Sequence, residues 1–268
     1  MELNKIYCED CLETMARMPD NFVDLTVTSP PYDNLRTYND NIDKTWNLEV
    51  FKKIASELFR VTKEGGVVVW VVGDATINGS ETGTSFKQAL YFMECGFNLH
   101  DTMIYQKNGC SNPEQTRYYN DWEYMFVFSN KKPKSINLIN DRRNKYINGS
   151  WGDKTRYGKD GKKVKAKRYS SDLFGIRFNR WRYNVGFGFN TKDKNNHPAI
   201  FPEDLAKDHI YSWSNEGDLV YDPFMGSGTT AKMAHIYKRN WIGSEISQEY
   251  VDLANKRLKP YLTQTTLF

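Results

Sequence analysis

The 268-residue sequence lacks any apolar run approaching the ~20 residues that a membrane-spanning helix requires, so no such span is expected. Cysteine is scarce: beyond the pair Cys8 and Cys11 there are only Cys95 and Cys110, with no second pair at metal spacing and no nearby histidine set. Four reduced structural thiols are expected, with no bound metal and no redox chemistry. The opening stretch, MELNKIYCEDC, lacks the basic and apolar regions of a signal peptide, and a cytoplasmic protein is expected. There is no internal repeat. A chain of this length is read as one catalytic domain carrying an insertion.

What is present is unevenly spread. Hydrophobic residues make up 39%, aromatic 15% and charged 26%, a soluble globular composition. The net charge of +4 conceals a division: residues 131–194 carry 19 Lys or Arg against 5 Asp or Glu, so that segment is +14 and the remainder −10. Clustered cations gain affinity for a polyanion by releasing counterions from its phosphates. Aromatics interleave with the charge, among them Tyr146, Trp151, Tyr169, Trp181 and Tyr183, a mixture that points to nucleic-acid contact rather than to a plain disordered tail. Within the basic region no hydrophobic period is sustained, and it reads as an insertion into the core.

Outside that region helices and buried strands alternate. FVDLTVT (22–28) alternates, is rich in β-branched residues and stops at Pro30-Pro31, which reads as a strand entering a loop. From Asn47 to Val61, Leu48, Phe51, Ile54, Ala55, Leu58 and Phe59 recur at helical spacing; Gly65-Gly66 then reads as a turn before the strand VVVWVV. A helix over Phe86 to Glu94, the strands LHDTMIYQK and EYMFVFSN, a helix in PEDLAKDHIYSWS, the strand DLVYD, the helix GTTAKMAHIYK, the strand NWIGSEI and a last helix with Leu253 and Leu258 inward complete the pattern. The alternation predicts an α/β fold with helices on both faces of one sheet.

Strand DLVYD runs into PFMGSGTTA, where Gly226, Gly228 and Ala231 fit the G-x-G-x-x-G/A turn that opens a nucleotide-binding helix. Glu245 ends the next strand, where a carboxylate accepts hydrogen bonds from ribose hydroxyls. The turn alone suits NAD as well as S-adenosyl-L-methionine. Asp222, Pro223 and Phe224 favour the latter: a dinucleotide needs a helix N-terminus open to its pyrophosphate, whereas S-adenosyl-L-methionine has a sulfonium cation and no phosphate, and a carboxylate at the strand end suits that cation. The Thr28-Ser29-Pro30-Pro31-Tyr32 run also follows a strand, at the sheet edge where α/β proteins place their chemistry. Ser29 Oγ and the Pro30 carbonyl could hold the two hydrogens of an exocyclic amine, and Tyr32 offers an aromatic face to an extruded base, a contact worth ~1 to 3 kcal/mol.

Ser29-Pro30-Pro31-Tyr32 and Phe224-Met225-Gly226-Ser227-Gly228 resemble the S/D/N-PP-Y/F and FxGxG motifs of the amino-group DNA methyltransferases. The chemical motif precedes the cofactor motif with the basic segment between them, an order similar to the β class. The resemblance extends to Asp10-Cys11 and to the HPAIFP segment, and covers about three quarters of the chain. It implies a Rossmann-like S-adenosylmethionine-dependent methyltransferase domain with permuted motif order over 1–130 and 195–268, and a target-recognition insertion over 131–194. Ser29, Pro30, Pro31 and Tyr32 are then the catalytic residues. The cofactor residues are Asp10, Cys11, Asp222, Pro223, Phe224, Gly226, Gly228, Thr229, Glu245, His197 and Phe201. The candidate contacts to double-stranded DNA are Arg142, Arg143, Lys165, Lys167, Arg168, Arg177, Arg180 and Arg182.

The resemblance implies base flipping and direct transfer to nitrogen, with no cysteine nucleophile. A serine at the head of the motif leans toward the 4-amino group of cytosine, with the 6-amino group of adenine as the alternative. The resemblance is also compatible with a homodimer and with a cognate restriction endonuclease. Two readings of another class remain open from the residues alone: an NAD-dependent oxidoreductase on the same glycine-rich turn, and a DNA-binding module without activity.

Overall fold

A computed structural model describes residues 1–31, 46–109, 115–145, 155–165, 172–184 and 201–263. The chain opens with β1 (Lys5–Cys8), α1 (Cys11–Ala16), β2 (Val23–Thr28), α2 (Leu48–Val61) and β3 (Thr62–Val72). A small hairpin of β4 (Thr76–Ile77) and β5 (Ser80–Glu81) leads to α3 (Thr84–Glu94), β6 (Asn98–Gln106) and β7 (Trp122–Ser129). The basic segment holds the short strands β8 (Arg142–Arg143), β9 (Thr155–Tyr157), β10 (Lys163–Lys165), β11 (Phe174–Gly175) and β12 (Arg180–Arg182). Then follow α4 (Glu203–Trp213), β13 (Leu219–Asp222), α5 (Thr229–Ile236), β14 (Asn240–Glu245) and α6 (Gln248–Leu262).

Local chemistry accounts for the main elements. Asn47 Oδ1 accepts from the backbone N–H groups of Glu49 and Val50, each at 3.0 Å, and so starts α2. Phe51, Ile54, Ala55, Leu58 and Val61 are buried on one face of that helix, whereas Leu48, expected inward, is exposed in its first turn. Val67 to Val72 are buried throughout, as in a strand covered on both faces. Gly65-Gly66 does not separate α2 from β3 as expected. Both glycines lie inside β3, where Gly65 takes φ +79° and the register against β2 shifts between Val23 and Leu25, so the pair lets the strand bulge.

Eight strands form one sheet in the order β1-β14-β13-β2-β3-β7-β6-β12. The run from β1 to β3 is parallel; β7 is antiparallel to both β3 and β6, and β12 is parallel to β6. Val68, Trp70 and Val72 cluster with Met15 of α1, Phe51 and Leu58 of α2 and Phe92 of α3. By the alternation of a strand, Val67, Val69 and Val71 face the opposite side, where α4, α5 and α6 cover the sheet. From β2 the chain crosses by α2 to β3 on one side, and from β13 it crosses by α5 to β14 on the other. The carboxyl ends of β2 and β13 therefore flank a switch point in strand order, where an open α/β sheet leaves a crevice for ligand.

The chain divides into two compact units, Met1–Asn137 with Asn179–Phe268, and Leu138–Phe178. The smaller is narrower than the 131–194 expected from charge. Asn137 donates its backbone N–H to Ser212 O at 2.8 Å, and β12 joins the main sheet beside β6 with Trp181 buried, so both flanks of the basic segment belong to the larger unit. Within the smaller unit β8 pairs with β11 and β9 with β10, all antiparallel.

Candidate active site

Val220 lies opposite Leu25 and Tyr221 opposite Thr26, so the loops that leave these parallel neighbours emerge side by side. One carries Ser29, Pro30 and Pro31; the other carries Asp222 to Gly228. Thr28 Oγ1 donates to Asp222 Oδ1 at 2.6 Å in the interior, and Phe224 N–H donates to the same oxygen at 3.0 Å. Thr230 Oγ1 donates to Val27 O at 3.2 Å, a further tie between the two strands. Burial pushes the Asp222 carboxyl up from 3.8 to about 6, against the opposing pull of its donors Thr28 and Phe224.

The glycine-rich turn is held by the neighbouring strand end. Gly226 and Gly228 adopt φ +49° and +80°, a backbone region open chiefly to glycine, and a Cβ on Gly228 would lie 2.9 Å from Ala254 Cβ. Gly226 N–H donates to Glu245 Oε2 at 2.8 Å and Ser247 N–H to Glu245 Oε1 at 2.9 Å. Desolvation raises the Glu245 carboxyl, and these backbone donors pull the other way. A carboxylate offers about four lone-pair sites, so two backbone bonds leave acceptor capacity for a diol. Phe224, half-buried, meets Trp46 edge-on at 5.5 Å and Trp70 at 6.1 Å, which supplies an apolar wall beside the turn.

The other expected residues are placed unequally. Asp10, exposed just past β1, caps α1 by accepting from Leu12 N–H at 2.7 Å. Cys11 packs its thiol into the core, and burial raises that thiol far out of the range of a nucleophile or ligand. Thr229 is buried as the first residue of α5, Pro223 is buried, and Phe201 is half-buried two residues before α4. Tyr32, His197, Lys167 and Arg168 lie outside the described residues, and Lys165 stands on β10.

Arg142 and Arg143 form β8. Arg142 stacks its guanidinium 4.6 Å over the Phe178 ring and donates through Nε to Ile176 O at 2.9 Å. Arg177 is engaged differently: its guanidinium pairs with Asp141, with Nε at 3.0 and 3.1 Å from the two carboxylate oxygens. Arg180 and Arg182, expected in the insertion, are exposed on β12 at the edge of the main sheet. From sequence alone Thr28 has no role of its own beyond its place in the Thr28–Tyr32 run, and neither Trp46 nor Arg257 is singled out. Trp46 belongs to no motif. The Arg257 guanidinium donates through Nη1 to Ser227 Oγ at 2.8 Å, a partner 30 residues away in sequence that no local spacing signals.

Two buried carboxylates at adjacent strand ends, a glycine turn open to close approach and an apolar wall together fit a nucleoside ligand bearing positive charge. Residues 23–256 match the family model described as DNA methylase, of N6/N4 type. The chain is 61% identical over 247 residues to the orphan methyltransferase M.BamHII of Bacillus amyloliquefaciens, covering 91% of each. It is 29% identical over 254 residues to the type II methyltransferase M.BglII of Bacillus subtilis, over 94% of this chain and 68% of the relative. Among solved structures, the PvuII DNA methyltransferase (cytosine-N4-specific) shares the fold with a TM-score of 0.68 at 20% identity, over 98% of this chain and 87% of that one. The complex of M1.HpyAVI with S-adenosylmethionine shares it with a TM-score of 0.61 at 23% identity, over 95% and 98%.

Proposed function

The chain belongs to the N6/N4 family of DNA methylases, and from that premise we propose that it transfers a methyl group from S-adenosyl-L-methionine to the exocyclic 4-amino group of cytosine in double-stranded DNA. The observation that carries the proposal is the meeting of the Ser29 turn and the Asp222–Gly228 turn on neighbouring parallel strands, tied by the bond from Thr28 to Asp222.

S-adenosylmethionine, when bound, supplies an electrophilic methyl group on a sulfonium. Glu245 is suited to accept the ribose hydroxyls, and the ionised Asp222 carboxylate complements the positive charge. Gly226 and Gly228 let the backbone close on the ligand, and Phe224 offers it an apolar face. Ser29 Oγ and the Pro30 carbonyl each accept one hydrogen of the target amine, which turns its lone pair out of conjugation with the ring and toward the methyl. Tyr32 stacks on the extruded base. No covalent intermediate on the protein is needed.

Ser29 at the head of its motif supports cytosine over adenine. The unit 138–178 carries 12 Lys or Arg against 4 Asp or Glu, which suits it to the phosphate backbone and to target recognition. Plasmid DNA from a modification-free host expressing the chain, hydrolysed and analysed by nucleoside mass spectrometry, is expected to contain N4-methylcytosine. N6-methyladenine in its place would overturn the choice of base, and neither product would overturn the function.

A further inference from the structure

The turn that carries Gly226 and Gly228 is gripped from behind by α6. The Arg257 guanidinium, 7% exposed, donates through Nη1 to the carbonyl and hydroxyl oxygens of Ser227, the latter at 2.8 Å, and to Thr229 Oγ1 at 3.4 Å. Its Nη2 reaches Glu203 Oε1 at 3.1 Å, and Lys232 Nζ of α5 reaches the same oxygen at 2.7 Å. One helical turn before Arg257, Ala254 fills the space a side chain at position 228 would need. Glu203 is the first residue of α4 and stands two residues after Phe201. A single guanidinium therefore joins the glycine-rich turn to the start of the helix that follows the HPAIFP segment, the other stretch expected to border the cofactor.

We infer that Arg257, braced by Glu203 and Lys232, is a positioning residue that fixes the shape of the cofactor turn and its separation from the Phe201 segment. It touches neither substrate nor the transferred methyl; it acts through the Ser227 carbonyl and hydroxyl. The inference rests on the proposed use of S-adenosylmethionine. The fork of Arg257 addresses several oxygens at once in fixed directions, whereas a lysine at the same place keeps the charge but reaches them one at a time. The half-buried Glu203 carboxylate would keep its partner Lys232 in either case, so the fold tolerates that exchange better than loss of the charge.

The test compares the wild type with Arg257→Lys, Arg257→Met and Glu203→Gln in the full chain. The readouts are calorimetric affinity for S-adenosylmethionine, KM for S-adenosylmethionine and for a DNA duplex, kcat, and thermal midpoint. In Arg257→Lys, affinity for S-adenosylmethionine is expected to weaken about tenfold, with KM for DNA changed less than about twofold and the thermal midpoint close to wild type. Glu203→Gln is expected to show the same pattern more weakly, because an amide oxygen still accepts. Unchanged affinity for S-adenosylmethionine in folded Arg257→Lys and Arg257→Met would overturn the inference. So would losses in both KM values and kcat that run parallel to the thermal midpoint, since that is the mark of a merely structural residue. A wild type that binds no S-adenosylmethionine would overturn this inference together with the reading beneath it.

Discussion

At the scale of single residues, Asp222 does opposing work in folding and in binding. Its folded-state pKa of about 6 lies above the ordinary 3.8, so its burial is nearly free of penalty below the ordinary value, and the penalty grows as pH rises through about 6. A rise of about 2 units corresponds to about 3 kcal/mol of stability lost on the alkaline side. Asp222→Asn keeps an acceptor for Thr28 and Phe224 and removes the charge; it is expected to unfold at higher urea than the wild type near pH 8, with the advantage shrinking toward pH 4. The same substitution is expected to weaken S-adenosylmethionine binding, and the wild-type affinity should fall as pH drops through about 6. Equal affinities across that range would contradict the pairing of Asp222 with the cation. Ser29→Ala removes one of two acceptors for the target amine and leaves a buried N–H unpaired, at about 1 to 3 kcal/mol. It is expected to lower the single-turnover rate about tenfold to a hundredfold while affinity for S-adenosylmethionine holds.

At the scale of elements, β12 is the clearest case of structure made by tertiary context. The Arg-Trp-Arg run of β12 has no readable period inside a basic segment, yet it pairs with β6 and buries Trp181 against the His209 ring at 4.6 Å. Trp181→Ala is expected to destabilise the protein by about 3 to 5 kcal/mol, measurable by urea unfolding, because a large buried ring is lost from a packed edge. The central strands were legible where the chain states its own needs. FVDLTVT is β-branched and bounded by prolines, VVVWVV is too apolar for anything but a covered strand, and FMGSG has glycines where positive φ is required. The four-residue β1 was too short for a pattern, and Gly65-Gly66 misled because a glycine pair serves a bulge as well as a turn. The bond from Thr28 to Asp222 joins residues 194 apart in sequence, and no local signal announces it. Arg257 was hidden likewise, in a helix whose readable feature was its apolar face.

At the scale of the whole molecule, charge is partitioned between an acidic majority of the chain and a basic unit over 138–178. If that unit meets phosphates, KM for DNA should rise steeply with salt, and each lost contact should reduce the log–log slope by about 1. Arg142→Gln is expected to do so, because its guanidinium is held by Phe178 and by a backbone carbonyl rather than by a carboxylate. Arg177→Gln is expected to act mainly through lost pairing with Asp141, and so to lower stability with a smaller change in salt slope. Methyl transfer as proposed requires above all that the two turns at the switch point form one site. A crystal structure with S-adenosylmethionine tests that most directly. The cofactor is expected between Glu245 and Asp222 with its methyl group directed at the Ser29–Pro31 turn; a cofactor seated elsewhere, or with its methyl turned away from Ser29, would contradict it.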